Sequence, residues 1–231
     1  MTYAFAPAPP VFLPISGSEA LFPVRRIYCV GRNYEEHAKE MGHTGREAPF
    51  FFMKPTDAVV HCAPGLTARL PYPSLTSNLH HEIELVVAIG VGGSNIAAAN
   101  ANKHIFGYAV GLDMTRRDLQ NDMKKQGRPW CIGKGFDNSA PVGTITPAAL
   151  AGDISRASIS LQLNGQQRQN SSISKLIWNI GETIEQLSAA WTLQPGDLIF
   201  TGTPEGVGAV VPGDAMVGSI TGLSDIRVQV E

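Results

Sequence analysis

The feature that most constrains this chain is the spacing of its turn-forming residues. Twenty-four glycines and 16 prolines are scattered through 231 residues, between short apolar runs and not gathered into one linker. Glycine and proline interrupt helices and supply turn conformations, so a chain punctuated this often folds through many turns and many short strands. "RRIYCVG", "FFFMKP", "EIELVVAIG" and "HIFGYAVGLD" read as buried strands, and "WCIGKGFD" and "APVGTIT" as two further short ones. "ASISLQLNGQQRQ" is a hairpin: Ile159, Leu161 and Leu163 alternate, and Asn164-Gly165 supplies the positive-φ turn.

Helical patterns are few. "RNYEEHAKEMG" is a short helix capped by Asn33 and stopped by Gly42, and a weak helix runs from about Ile96 to Asn102. "RRDLQNDMKKQG" follows Thr115 as N-cap and closes at Gly127. Residues 173–191 place Ile173, Ile177, Ile180, Ile184, Leu187 and Trp191 on one face, which predicts a single long amphipathic helix. With no internal repeat and no linker, the expectation is one α+β domain dominated by sheet over residues 24–231. Residues 1–23, rich in Pro and Ala, precede it as an extended arm pinned where Val11, Phe12 and Leu13 meet a surface.

The net charge of −2, the pI near 6.3 and the lack of any Lys/Arg run longer than two argue against nucleic acid as a partner. No apolar segment approaches the length of a membrane span, and "MTYAFAPAPPVFLP" lacks the basic start and apolar stretch of a signal peptide, so a cytoplasmic protein with no membrane partner is expected. Cys29, Cys62 and Cys131 lie far apart without a C-x-x-C pair. That excludes a disulfide framework and a thiolate zinc site, and predicts small core residues.

Three motifs that could carry chemistry fall short. "AIGVGGSN" lacks the third glycine of a dinucleotide fingerprint and no βαβ pattern follows it; "GTPEGVG" lacks the Gly-Lys-Ser/Thr of a phosphate loop; no Gly-x-Ser-x-Gly elbow exists. What remains is carboxylates on apolar strands. Glu82 and Glu84 share one strand face, roughly 6 to 7 Å apart along the chain. Asp113 ends "YAVGLD" much as Glu82 begins "EIELVV".

A solvated strand face is one reading of such a pair. A carboxylate on a buried strand, however, is costly unless something compensates it, and three converging acids would repel one another, which points to a bound cation. Oxygen-only ligands favour Mg²⁺, Mn²⁺ or Ca²⁺; a zinc site using His80 or His81 with Glu82 lacks H-E-x-x-H spacing. On the short helix, His37 and Glu40 are three apart and so neighbours, a pair able to orient and deprotonate a water, or else ordinary surface charges.

Taken in order, "CVGRNYEEHAKEM", "FFFMKP", "HHEIELVVAIG", "GYAVGLDMTRRDLQ", "GRPWCIGKGFD", "LQLNGQQRQ" and "GDLIFTGTPEGVG" resemble the fumarylacetoacetate hydrolase family over about residues 24–231, and most of all its small single-domain acylpyruvate hydrolases. The resemblance implies a mixed β-sandwich roll with a short lid helix near the N-terminus. It also implies a homodimer and one Mg²⁺ or Mn²⁺ per subunit on Glu82, Glu84 and Asp113. Position by position it implies His37 and Glu40 as the water-activating pair, Lys134 as a catalytic group, and Arg117, Gln120 and Thr203 near the substrate.

The implied activity is hydrolysis of the carbon–carbon bond of 2,4-diketo acids, with fumarylpyruvate giving fumarate and pyruvate as the leading case. Oxaloacetate decarboxylation and isomerisation of 2-hydroxy-diene-dioates use the same chemistry and are the alternatives, followed by a non-enzymatic metal-stabilised binding domain. A distal carboxylate on such a substrate calls for a cation, and Arg32, Arg46 and Lys39 lie on or beside the expected lid. Residues 33–49 would then close over the ligand and exclude bulk water.

Overall fold

The computed structural model describes residues 2–36 and 46–231. Two sheets face each other across the main core. The larger is an eight-stranded mixed sheet in the order Phe50–Lys54, Ile27–Gly31, Leu198–Phe200, Ile83–Ile89, Ile105–Leu112, Ala140–Gly143 and Val59–Cys62, with Thr146–Pro147 pairing beside Ile105–Leu112. The smaller has five strands, ordered Gln166–Ser172, Ser158–Leu163, Ala215–Ile220, Ile226–Val230 and Ala68–Leu70. This is the α+β β-sandwich expected from the sequence.

Because side chains alternate along a strand, each strand of the larger sheet feeds two cores. Ile83, Leu85, Val87, Ile89, Val110 and Leu112 point toward the smaller sheet and pack with Ile159, Leu161, Met216, Ile220 and Val228. Val86, Ala88, Ala109, Leu198 and Phe200 point the other way, onto Ile27, Cys29, Leu13 and Phe22. Leu13 and Phe22 come from a hairpin of Phe12–Pro14 with Leu21–Pro23, so the N-terminal arm is built into the second core from Phe12 onward.

The Asn164-Gly165 hairpin forms as expected, with φ of 53° and 77° at the two turn residues. The long helix does not. Its first part is a 3₁₀ turn, Ile173–Lys175, and the α-helix is Ile180–Ala190, opened by a capping box between Asn179 and Glu182. The cause is tertiary. Asn33 donates to the Trp178 carbonyl (2.9 Å) and accepts from the Trp178 N–H (2.7 Å), while the Ile177 N–H bonds to the Asn33 carbonyl, holding the intervening chain out of a helix. The helix that Asn33 is expected to cap lies mostly outside the described residues.

Other corrections are local. Ile96 to Asn102 gives a 3₁₀ helix at Ala98–His104, and "WCIGKGFD" contains a four-residue helix, Cys131–Lys134, where a strand was expected. The helix after Asp113 spans Arg117–Lys125, and Thr115 is not its cap but a strand residue paired with His80. Cys29 and Cys62 are buried as expected, whereas Cys131 is exposed. Most of the expected lid helix lies outside the described residues, as do His37, Lys39 and Glu40.

Candidate metal centre

Register brings the acids together. In the antiparallel pair of Ile83–Ile89 with Ile105–Leu112, Ile83 faces Leu112, so one step further Glu82 faces Asp113, and the Asp113 N–H donates to the Glu82 carbonyl at 2.9 Å. Both residues sit in a crease. Before Glu82, Leu79–His81 belongs to a small three-stranded sheet with Thr115–Arg116 and Gly208–Val210; after it, the chain enters the eight-stranded sheet. Glu82 and Glu84 therefore extend the Val86/Ala88 face beyond its apolar end, where the acids are nonetheless buried: Glu82, Glu84 and Asp113 are 5%, 2% and 0% exposed.

One oxygen from each of the three lies within 4.8 Å of the others, which makes them a group able to hold a divalent cation. The donor set is all carboxylate, the kind hard cations take. Its electrostatics also fit. Lys134 Nζ bridges Glu82 Oε2 (2.8 Å) and Asp113 Oδ2 (2.7 Å) and donates to Thr115 Oγ1 (2.7 Å). Lys54 Nζ lies 2.8 Å from Asp113 Oδ1, and Arg117 is hydrogen-bonded to both Glu82 and Gln120.

Among the described residues, no cationic side chain is paired with Glu84. Among the described residues its one hydrogen bond comes from the Gly202 N–H at 2.6 Å. Burial, reinforced by Asp113 and Glu82, pushes its carboxyl well above the usual carboxylate range. A carboxylate so placed is the group a divalent ion would relieve. For Lys134, burial alone would lower the ammonium, but Asp113 and Glu82 outweigh it and hold the group above the ordinary lysine value.

Gly202 is required where it stands: its φ is +105°, and a Cβ would fall 2.7 Å from that of Asn33. It begins the loop that carries Thr203. Thr203, Arg32, Arg117, Gln120 and Lys134 line one small cavity of about 30 Å³ with the three acids, whereas Arg46, also considered for the substrate, lies instead against Glu182 and Trp178. An apolar cavity of about 610 Å³ adjoins it, sharing Arg32, Phe52, Trp130 and Lys134 and adding Phe50 and Arg128. A larger cavity of about 690 Å³ near Ile154 and Asn179 contains none of the acids.

The two histidines left without a role take supporting ones. His80 Nε2 bonds Asn78 Oδ1 (2.9 Å), leaving Nδ1 to accept from Arg117 Nε (3.4 Å), so it backs the arginine that holds Glu82. Burial, with Arg117 adding to it, lowers His80 to about 4. His81 Nδ1 lies 3.0 Å from Gln169 Oε1. Neither histidine is in the carboxylate group.

Lys54 and Gln169 were not foreseen. A lysine closing "FFFMKP" looks like a strand-end surface charge, and Gln169 sits in a polar return strand; only the placement of Asp113 and Thr203 beside them gives either a meaning. Thr115 was misread as a cap because its hydroxyl serves Lys134 and the Asp113 carbonyl (3.0 Å) instead.

The comparisons with known proteins agree with this geometry. The family described as Fumarylacetoacetate (FAA) hydrolase C-terminal matches residues 26–231. The chain belongs to that family. It is 45% identical to a fumarylpyruvate hydrolase of Ralstonia sp. over 80% of this chain and 93% of the relative. It is 41% identical to an oxaloacetate tautomerase of Escherichia coli, over 88% of this chain and 91% of that one. Among solved structures, the fumarylpyruvate hydrolase from Pseudomonas aeruginosa in complex with Mn²⁺ and pyruvate superposes with a TM-score of 0.97 at 58% identity, covering 99% of each chain. No described helix is long and apolar enough to cross a membrane.

Proposed function

We propose that this protein is a hydrolase that uses Mn²⁺ or Mg²⁺ to cleave the carbon–carbon bond of acylpyruvates, with fumarylpyruvate as substrate and fumarate and pyruvate as products. The observation that carries the reading is the buried Glu82–Glu84–Asp113 group with Lys134 across two of its members, in a chain 58% identical to an enzyme crystallised with Mn²⁺ and pyruvate. The charges support a dianionic ligand. Three carboxylates face Lys54, Lys134 and Arg117. With a divalent ion added, and with Arg32 lining the same cavity, the site is net positive, which suits an anionic diacid.

When bound to these carboxylates, the cation would supply Lewis-acid polarisation of a chelating 2-keto acid. The protein's own groups do the rest. Glu40, oriented by His37, takes the proton of a water whose oxygen attacks the acyl carbonyl carbon; the bond from that carbon to the pyruvoyl methylene breaks, and its electron pair goes to the pyruvoyl unit, which is then protonated. Lys134 Nζ, anchored on Glu82 and Asp113, steadies the charge that develops there. Arg117 with Gln120 fixes Glu82, and Thr203 meets the ligand.

The adjoining cavity suits the acyl half: Phe50, Phe52 and Trp130 wall it, and the Arg32 guanidinium lies 5.3 Å from the Phe50 ring and 6.0 Å from the Trp130 ring. Of the cations considered for a distal carboxylate, Lys39 lies outside the described residues and Arg46 lines neither cavity, whereas Arg32 lines both. Arg32 is therefore assigned to the fumaroyl carboxylate.

Oxaloacetate tautomerisation is the second reading, favoured by the Escherichia coli relative. A panel of fumarylpyruvate, acetylpyruvate and oxaloacetate with each metal separates the two: Arg32→Leu should lower kcat/KM for fumarylpyruvate at least tenfold more than for acetylpyruvate. Turnover of oxaloacetate alone would establish the second reading. We also propose a homodimer, from the family resemblance, which sedimentation velocity would test.

A further inference from the structure

Gln169 occupies a position from which hydrogen-bond directions can be assigned without ambiguity. It is 0% exposed, on the strand Gln166–Ser172 of the smaller sheet. Its Oε1 receives the Ile83 backbone N–H at 3.1 Å, and an N–H can only donate, so this atom is the amide oxygen. Its Nε2 reaches the Pro204 carbonyl at 2.9 Å, and a carbonyl can only accept, so that atom is the amide nitrogen. Two consequences follow. His81 Nδ1, 3.0 Å from Oε1, carries its proton there, and the second Nε2 hydrogen is donated to Thr203 Oγ1 at 2.8 Å.

Thr203 Oγ1 is thus committed as an acceptor on the Gln169 side, and its own hydrogen has no acceptor among the described residues. Thr203 lines the cavity that holds Glu82, Glu84 and Asp113 and is 3% exposed. We propose that Gln169 is a positioning residue that makes the Thr203 hydroxyl a dedicated hydrogen-bond donor to an oxygen of the 2-keto acid bound at the carboxylate group. The proposal rests on the function proposed above and adds the polarity of the atom that must face Thr203: an acceptor, such as a carboxylate or keto oxygen. A ligand presenting only N–H or O–H groups there would leave the Thr203 hydroxyl hydrogen without an acceptor in a buried site.

The test is a double-mutant cycle on oxalate affinity in the presence of saturating Mn²⁺, measured by calorimetry, using Gln169→Met, Thr203→Val and the double variant. Gln169→Met removes the donor while keeping chain length. If its buried neighbours do not tolerate it, Gln169→Glu keeps an acceptor for His81 and Ile83 and enters the same cycle, where any general charge effect cancels. Thr203→Val should weaken oxalate binding tenfold or more. The Gln169 change should do nearly the same alone but little in the Thr203→Val background, a coupling of at least threefold. Coupling below threefold would mean that Gln169 does not act through Thr203 and would overturn the proposal. Wild-type protein that binds no oxalate would instead defeat the functional reading on which it rests.

Discussion

Replacing Glu84 by Gln separates the cost of the carboxylate group from its use. Glu84 is 2% exposed and, unlike Glu82 and Asp113, has no cationic side chain against it among the described residues. Ligand oxygens within 4.8 Å of one another correspond to a repulsion of about 3 kcal/mol per neighbouring charge at an effective dielectric near 20. Lys134 offsets part of this. Glutamine keeps an oxygen for the Gly202 N–H but carries no charge, so the cation-free variant should be more stable than the wild type by about 1–3 kcal/mol, a Tm rise of several degrees for a chain of this size.

The response to metal should invert. At a concentration about 100 times Kd, a cation that binds only the folded state stabilises it by about 2.7 kcal/mol. The wild type should therefore gain several degrees on addition of Mn²⁺ after chelation, and Glu84→Gln should gain almost nothing. Thermal denaturation of both proteins with EDTA and with excess Mn²⁺ measures all four values. A cation-free variant less stable than the wild type would show that Glu84 is held by interactions worth more than the repulsion it suffers. An undiminished Mn²⁺ response in the variant would remove the group from consideration as the metal site.

Other consequences are simpler to state. Lys54→Met strips one of two cationic partners from a fully buried Asp113, leaving Lys134 at 2.7 Å, and should lower stability by about 2–3 kcal/mol in urea titrations; a loss under about 1 kcal/mol would mean that the pair is not needed. Glu40→Gln should reduce kcat by at least about a hundredfold while leaving Mn²⁺ affinity within about twofold, since its assigned role is toward water and not the ion; unchanged turnover would remove Glu40 as the base. Native protein should react with one equivalent of a thiol reagent at pH 8, through exposed Cys131, and with three when unfolded. Cys62 is held back by burial, which pushes its thiol up to about 12.

The parts of this fold that could be read from the chain are those decided locally. Asn164-Gly165 fixes its hairpin because few other pairs adopt two positive φ values cheaply. The period-2 pattern of "EIELVV" put both glutamates on one face, and the strand pairing then supplied Asp113 opposite Glu82. What escaped was set by distant partners. The apolar periodicity from Ile173 to Trp191 is real, yet Asn33, 145 residues away in sequence from Trp178, captures the backbone there and delays the helix to Ile180.

Cys131–Lys134 folds as a helix against the one at Arg117–Lys125, and Gly133 permits it: a Cβ there would lie 2.9 Å from Gln120. At the site, the acids were legible because carboxylates on apolar strands demand an explanation. Lys54 and Gln169 were not, because a lysine before a proline and a glutamine among polar neighbours demand none until their partners are seen.

The proposed function comes down to whether a cation on Glu82, Glu84 and Asp113 is needed to split an acylpyruvate. The most direct measurement is the consumption of fumarylpyruvate by chelator-stripped protein, with and without added Mn²⁺, followed by quantitation of fumarate and pyruvate. Equimolar release of the two products only when Mn²⁺ is restored is the expected result. Consumption that is indifferent to the metal, or Mn²⁺-saturated protein that leaves fumarylpyruvate intact, would contradict it.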